Sequence, residues 1–154
     1  MGNVCRSPTA AGVFRKLAEK EGILDRLEID SAATHLYHVG KAPDPRAQQA
    51  ALERGIDIGM VRARQVDERD FERFDRILVM DRHDYEALVA LCPADYVRKI
   101  RFLLDFAPHL RIRDVPDPFY GGSFGFERML DMVEDAAFGL LRDLCDEAFS
   151  PRSD

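Results

Sequence analysis

The chain has 154 residues, 46% hydrophobic and 32% charged, with a formal net charge of −6. That length suits one domain, residues 1–154, with a core of its own, and the acidic balance argues against nucleic acid as a partner. The longest apolar runs, Ile77–Met80 and Ala87–Cys92, are far short of the roughly 20 residues that span a bilayer. No charged-then-apolar leader opens the chain, and Cys5, Cys92 and Cys145 are too few and too scattered for a disulfide framework or a zinc site, so a reducing cytoplasm is expected.

In chain order, Ser7 followed by Pro8 reads as an N-cap with proline at the first helical position. Ala10, Val13, Phe14 and Leu17 then repeat at helical spacing, and Gly22 fits the C′ position. Leu27–Ile29 reads as a short strand running into Ser31. Pro45 to Arg54 reads as a helix stopped by Gly55, and Asp67 as the cap of a short helix through Phe74. Arg76–Met80 is an apolar strand with Asp81 at its carboxyl end. His83–Leu91 is helical up to Pro93, and Ile100–Leu104 is another strand. A Pro- and Gly-rich loop, Asp114–Ser123, precedes a last helix from Phe124 to Phe149. Its Met129, Leu130, Val133, Ala137, Leu140, Leu141 and Leu144 form one stripe.

Strands alternating with helices predict an α/β domain with a parallel sheet, and ligands in such folds bind outside the carboxyl ends of the strands. Asp81 and the loops after the strands should share that edge. No strand precedes Ser7, although a domain of this kind normally opens with one. What opens the chain is Gly2-Asn3-Val4-Cys5-Arg6-Ser7-Pro8. A glycine-led loop entering a helix turns several N–H groups toward one point, where the helix dipole adds positive charge and an arginine can fork onto phosphate oxygens. Locally, a phosphate site and a plain capped helix with a nearby arginine remain equal alternatives.

The wider pattern favours the phosphate site. The loop resembles the C-x-G-N-x-C-R-S-P signature of the low-molecular-weight protein tyrosine phosphatases, with Met1 in the first x. Matches continue in Ser31-Ala32-Ala33-Thr34, in Gly40 with Pro43-Asp44-Pro45-Arg46-Ala47, and in Ala63-Arg64-Gln65. Met80-Asp81 and Asp117-Pro118-Phe119-Tyr120-Gly121 extend them over nearly the whole chain. The resemblance implies a three-layer α/β domain, a short parallel sheet flanked by helices. In that family the nucleophilic cysteine opens the loop and would fall immediately before Met1, with the first strand upstream of it. The expectation is therefore a domain lacking both that strand and that nucleophile, and inactive by itself. Cys5 is no substitute, being adjacent to Arg6 rather than opposite it, and reads as a small residue packed under the loop.

The resemblance also assigns roles. Gly2, Asn3, Val4, Cys5 and Arg6 would hold phosphate, Arg6 clamping its equatorial oxygens, and Asn3 would fix the loop. Ser7 would bond the sulfur as it leaves a cysteinyl-phosphate intermediate. Asp117 would be the general acid, held stiffly between Pro116 and Pro118, with Asp114 and Asp44 its nearby rivals. Tyr37 would face Phe119 and Tyr120 across a phenyl ring. An aliphatic Val4, where the related protein arginine phosphatases carry Thr, favours tyrosine. Val61 stands where many members have a histidine supporting the loop. The partner implied is a tyrosine-phosphorylated protein, such as a tyrosine kinase, with no cofactor. His35, His38, His83 and His109 show no metal-ligand spacing. Two alternatives stay open: a pseudophosphatase that holds phosphate or phosphotyrosine without cleaving it, and an arsenate reductase, which would need a closer pair than Cys92 and Cys145.

Overall fold

The computed structural model describes residues 5–34, 39–118 and 125–149. Helix α1 (Arg6–Lys20) opens the described chain. Gly22, at φ 72°, ends it as foreseen: the Gly22 amide donates to Glu19 O and that of Ile23 to Ala18 O, so two terminal carbonyls are satisfied. Its beginning differs from expectation. Cys5, not Ser7, is the N-cap, and Ser7 and Pro8 lie inside the first turn. The Thr9 amide already bonds the Cys5 carbonyl, which sets the start of the helix there, and a proline is tolerated in the first turn because those N–H groups have no intrahelical acceptor.

Helix α2 (Pro45–Glu53) has the expected proline start, with the Asp44 carboxylate accepting from the Arg46 amide at 2.8 Å. Helix α3 is shorter than the sequence suggests, Asp70–Arg73, because Asp67 caps a preceding turn through the Arg69 amide. Strand β1 (Ile77–Val79), helix α4 (Arg82–Leu91) and strand β2 (Ile100–Phe102) form a parallel βαβ unit, with Ile77 opposite Ile100 and Val79 opposite Phe102. The Ile100–Leu104 expectation is half right: the chain leaves the strand at Leu103 for a 3-10 turn, Leu103–Phe106. Leu27–Ile29 is not a strand among the described residues. It is extended but makes no ladder, and the Ile29 carbonyl instead accepts from the Arg15 guanidinium. An isolated parallel bridge, Ala33 with Gln65, is the nearest approach to pairing in that region.

Helix α5 (Gly125–Phe149) carries the expected stripe: Leu130 and Val133 are fully buried and Met129 nearly so, in one core with Val13 and Phe14 of α1. A second core, Phe71, Val79, Leu88, Ile100 and Phe102, lies with α3 and α4. Helices therefore cover both faces of a short parallel sheet, the three-layer α/β arrangement. A half-open cavity of about 440 Å³ is bordered by β1, α1, α5 and the 26–32 segment, with apolar walls from Phe14, Leu78, Met80 and Val133 and charged ones from Arg64 and Asp70. No described helix is long and apolar enough to cross a membrane.

Gly139 fixes how closely α5 approaches the 3-10 turn after β2. A Cβ there would sit 1.9 Å from the Phe106 carbonyl oxygen, which belongs to backbone and cannot swing aside. Gly139→Ala is expected to destabilise the fold by about 1–3 kcal/mol in urea unfolding, overpacking outweighing alanine's better helix propensity. Unchanged or raised stability would contradict that close approach.

Candidate active site

The carboxyl end of β1, the start of α1 and the 114–118 segment converge, as the topology of a parallel sheet requires. Arg6 is at the centre, with 8% of its surface exposed. Its Nη1 donates to the Val115 carbonyl at 2.7 Å and lies 2.9 Å from Asp81 Oδ2. Nε and Nη2 make no such bond among the described residues, so the forked edge remains for an anion. The Val115 amide in turn donates to Met80 O at 2.7 Å, and the Arg82 amide to Asp114 Oδ1 at 3.0 Å. Asp81 caps α4 through the Asp84 amide at 2.8 Å. Burial pushes the Asp81 carboxyl up, but that amide and the Arg6 guanidinium outweigh it, and the group sits below the usual carboxylate range.

Helix α1 has no side-chain cap and no acidic residue in its first turn. Among the described residues no side chain takes its first N–H groups, and these with the helix dipole suit a negative ligand beside Arg6. Cys5 lies under this point, 5% exposed. Burial pushes its thiol up to about 12, and the Asp44 and Asp117 carboxylates add to the rise against the opposing pull of Arg46 and Arg6. Asp117 is thus within electrostatic reach of the loop, half-buried.

Of the site residues read from sequence, Cys5, Arg6, Ser7 and Asp117 are described. Gly2, Asn3, Val4, Tyr37, Phe119 and Tyr120 lie outside the described residues. Ser7 is half-buried and lines the 440 Å³ cavity. Asp44 and Asp114, the rival acids, are taken up by the Arg46 and Arg82 amides. Val61 packs against the main core. Sequence reasoning placed Asp81 at this edge but missed its pairing with Arg6 and the bond Arg6 donates to the Val115 carbonyl, neither of which leaves a local pattern. It also missed that Asp81, His83 and Asp84 bring ligand atoms within 4.8 Å of one another. There the Asp81 carboxylate is already engaged by Arg6 and the Asp84 amide. Cys92 and Cys145 are free thiols at the end of α4 and within α5.

A thiol that ionises near pH 12 is about a thousand times less thiolate at pH 8 than one that ionises near 9.0. Iodoacetamide at pH 8 should therefore leave Cys5 unlabelled in the folded chain and label it after denaturation, read by peptide mass spectrometry. Rapid native labelling of Cys5 would show a reactive thiol there.

The chain matches the family model described as low molecular weight phosphotyrosine protein phosphatase over residues 1–149. It is 40% identical over 143 residues to a low molecular weight protein-tyrosine-phosphatase of Streptomyces coelicolor, covering 91% of this chain and 87% of that one. It is 41% identical over 133 residues to a low molecular weight phosphotyrosine protein phosphatase of Rattus norvegicus, covering 82% and 80%. Among solved structures, a protein tyrosine phosphatase of Entamoeba histolytica, crystallised with Hepes in its active site, superposes with a TM-score of 0.91 at 36% identity, over 97% of this chain and 95% of that one.

Proposed function

The chain belongs to the low molecular weight phosphotyrosine protein phosphatase family, and from that membership we propose that it serves the hydrolysis of phosphotyrosine on proteins through a cysteinyl-phosphate intermediate. The enzyme class is that of a protein-tyrosine phosphatase. The observation that carries the mechanism is Arg6, buried and anchored through one nitrogen, with its remaining donors beside the uncapped start of α1.

In this reading phosphate seats on the loop amides of residues 2–6 and on the Arg6 fork. A thiolate attacks phosphorus, the S–P bond forms as the P–O bond breaks, and Asp117 gives its proton to the departing phenolic oxygen. Water then attacks the same phosphorus, Asp117 takes the water's proton, and the thiolate leaves with Ser7 bonding the sulfur. Arg6 and the helix dipole stabilise the charge that spreads over the equatorial oxygens. Tyr37, Phe119 and Tyr120 are assigned to hold the phenyl ring. The substrate is a tyrosine-phosphorylated protein, a tyrosine kinase being one such partner.

The thiolate must stand opposite Arg6, and Cys5, high in pKa and adjacent to that arginine, does not meet the need. The position required is the one before Met1. With a cysteine supplied there, Asp117→Asn should lower kcat by about 10²–10⁴ for phosphotyrosine and far less for para-nitrophenyl phosphate, whose leaving group needs no proton. Equal losses on both substrates would remove Asp117 from the acid role.

The same upstream segment bears on stability. In this reading a further strand would cover the apolar walls Leu78, Met80 and Val133 of the opening beside β1, and removing that surface from water adds stability. Extending the chain upstream by roughly a dozen residues of strand pattern ending in cysteine should raise Tm and confer para-nitrophenyl phosphate hydrolysis, while the 154 residues alone show none. Family-like turnover by the 154-residue form would overturn the assignment of the nucleophile.

A further inference from the structure

An open basin of about 1050 Å³ is lined in part by Asp114 and Pro116 of the 114–118 segment. Arginines from four separate places line it: Arg82 at the start of α4, Arg101 in the middle of β2, Arg113, and Arg128 in the first turn of α5. Two are compensated. Arg113 makes a two-bond pair with Asp105 at 3.0 and 2.9 Å, and Arg82 pairs with Glu86 at 3.2 Å. The third carboxylate of the basin, Asp114, already accepts from the Arg82 amide. Arg101 and Arg128 are exposed and have no carboxylate within ion-pair distance among the described residues; Arg101 rests over the Phe106 ring at 4.7 Å.

Two uncompensated guanidiniums in one basin are notable on a chain of net charge −6. The floor beneath them is stiff: the Tyr85 and Phe102 rings stack at 5.2 Å, and Arg113 lies 4.0 Å from the Phe102 centroid. Asp114 and Pro116 belong both to this basin and to the segment that carries Asp117. The basin and the candidate acid therefore share one short stretch of chain, which puts flanking residues of a bound phosphopeptide within reach of the basin.

We propose that this basin binds acidic side chains flanking the phosphotyrosine of the substrate protein, with Arg101 and Arg128 as the residues that recognise them. The proposal rests on the phosphotyrosine-protein reading above and specifies its substrate class. Rim charges of this kind give selectivity and salt dependence rather than large affinity.

The test is fluorescence anisotropy with the 154-residue chain, which needs no turnover. Three labelled peptides are compared: a phosphotyrosyl peptide with Glu and Asp flanks, its Gln and Asn counterpart, and the acidic peptide without phosphate. The acidic phosphopeptide should bind about three- to tenfold more tightly than the neutral one. The gap should close between about 50 and 500 mM salt as screening sets in. The double variant Arg101→Glu, Arg128→Glu should abolish the gap and retain the parent's affinity for the neutral phosphopeptide, which also shows that it folds. Equal binding of both phosphopeptides by the parent, or equal weakening of both by the variant, overturns the basin assignment and leaves the functional reading standing. Equal binding of phosphorylated and unphosphorylated acidic peptides overturns the functional reading and this inference with it.

Discussion

A buried arginine has to be paid for with partners, and the pairing of Arg6 organises the rest of this site. Its guanidinium, 8% exposed, is held by the Asp81 carboxylate and the Val115 carbonyl. An uncompensated charge at such depth costs several kcal/mol, so the two partners are structural necessities before they are functional ones. Asp81 is itself fixed because it caps α4, and Val115 because its amide bonds the last residue before Asp81. The carboxyl end of β1 thereby positions three things at once: the start of a helix, the arginine of α1 and the segment bearing Asp117. Among the described residues, β1 and β2 form the sheet whose carboxyl edge presents these groups.

The N-cap position of α1 shows the same economy. Serine, asparagine or aspartate would cap the helix and gain about 1 kcal/mol, but their oxygens would occupy the N–H groups that an anion needs. Cysteine is a poor acceptor, and Cys5 makes no capping bond. Buried, and faced by Asp44 and Asp117, its thiol stays protonated at neutral pH. Cys5 thus adds neither a charge nor a competing acceptor to the point where phosphate would bind.

The sequence displayed the local rules clearly and the long-range ones hardly at all. The stripe of α5 and the proline start and glycine stop of α2 are set by residues within a turn or two of one another, and all are present in the structure. Leu27–Ile29 has the composition of a strand, but a strand exists only where a neighbour completes its ladder, and here Arg15 takes the Ile29 carbonyl instead. Ser7-Pro8 looked like a cap because serine before proline so often is one, while the deciding bond, Thr9 to Cys5, shows only in space. Arg6 and Val115 are 109 residues apart, and a carbonyl acceptor has no residue type to betray it. The roles of Gly2, Asn3, Tyr37 and Phe119 came from resemblance and not from any pattern of their own.

The segment bearing Asp117 is constrained at both ends, by hydrogen bonds at Asp114 and Val115 and by the close approach of Pro118 to Gly125. Asp114 and Val115 are bonded to Arg82 and Met80, and Pro116 and Pro118 hold their own φ angles near −65°. At the far end the Pro118 carbonyl oxygen lies 2.3 Å from where a Cβ on Gly125 would be, so α5 begins against the loop it follows. Such a carboxylate can be positioned without the entropy of a long mobile loop. Its place beside the phosphate loop also has an electrostatic consequence for the proposed reaction. A thiolate and a carboxylate in one pocket repel each other, as the effect of Asp117 on Cys5 illustrates. A carboxylate held there raises the cost of a second negative charge in the same pocket, a cost that the Arg6 guanidinium and the α1 dipole offset.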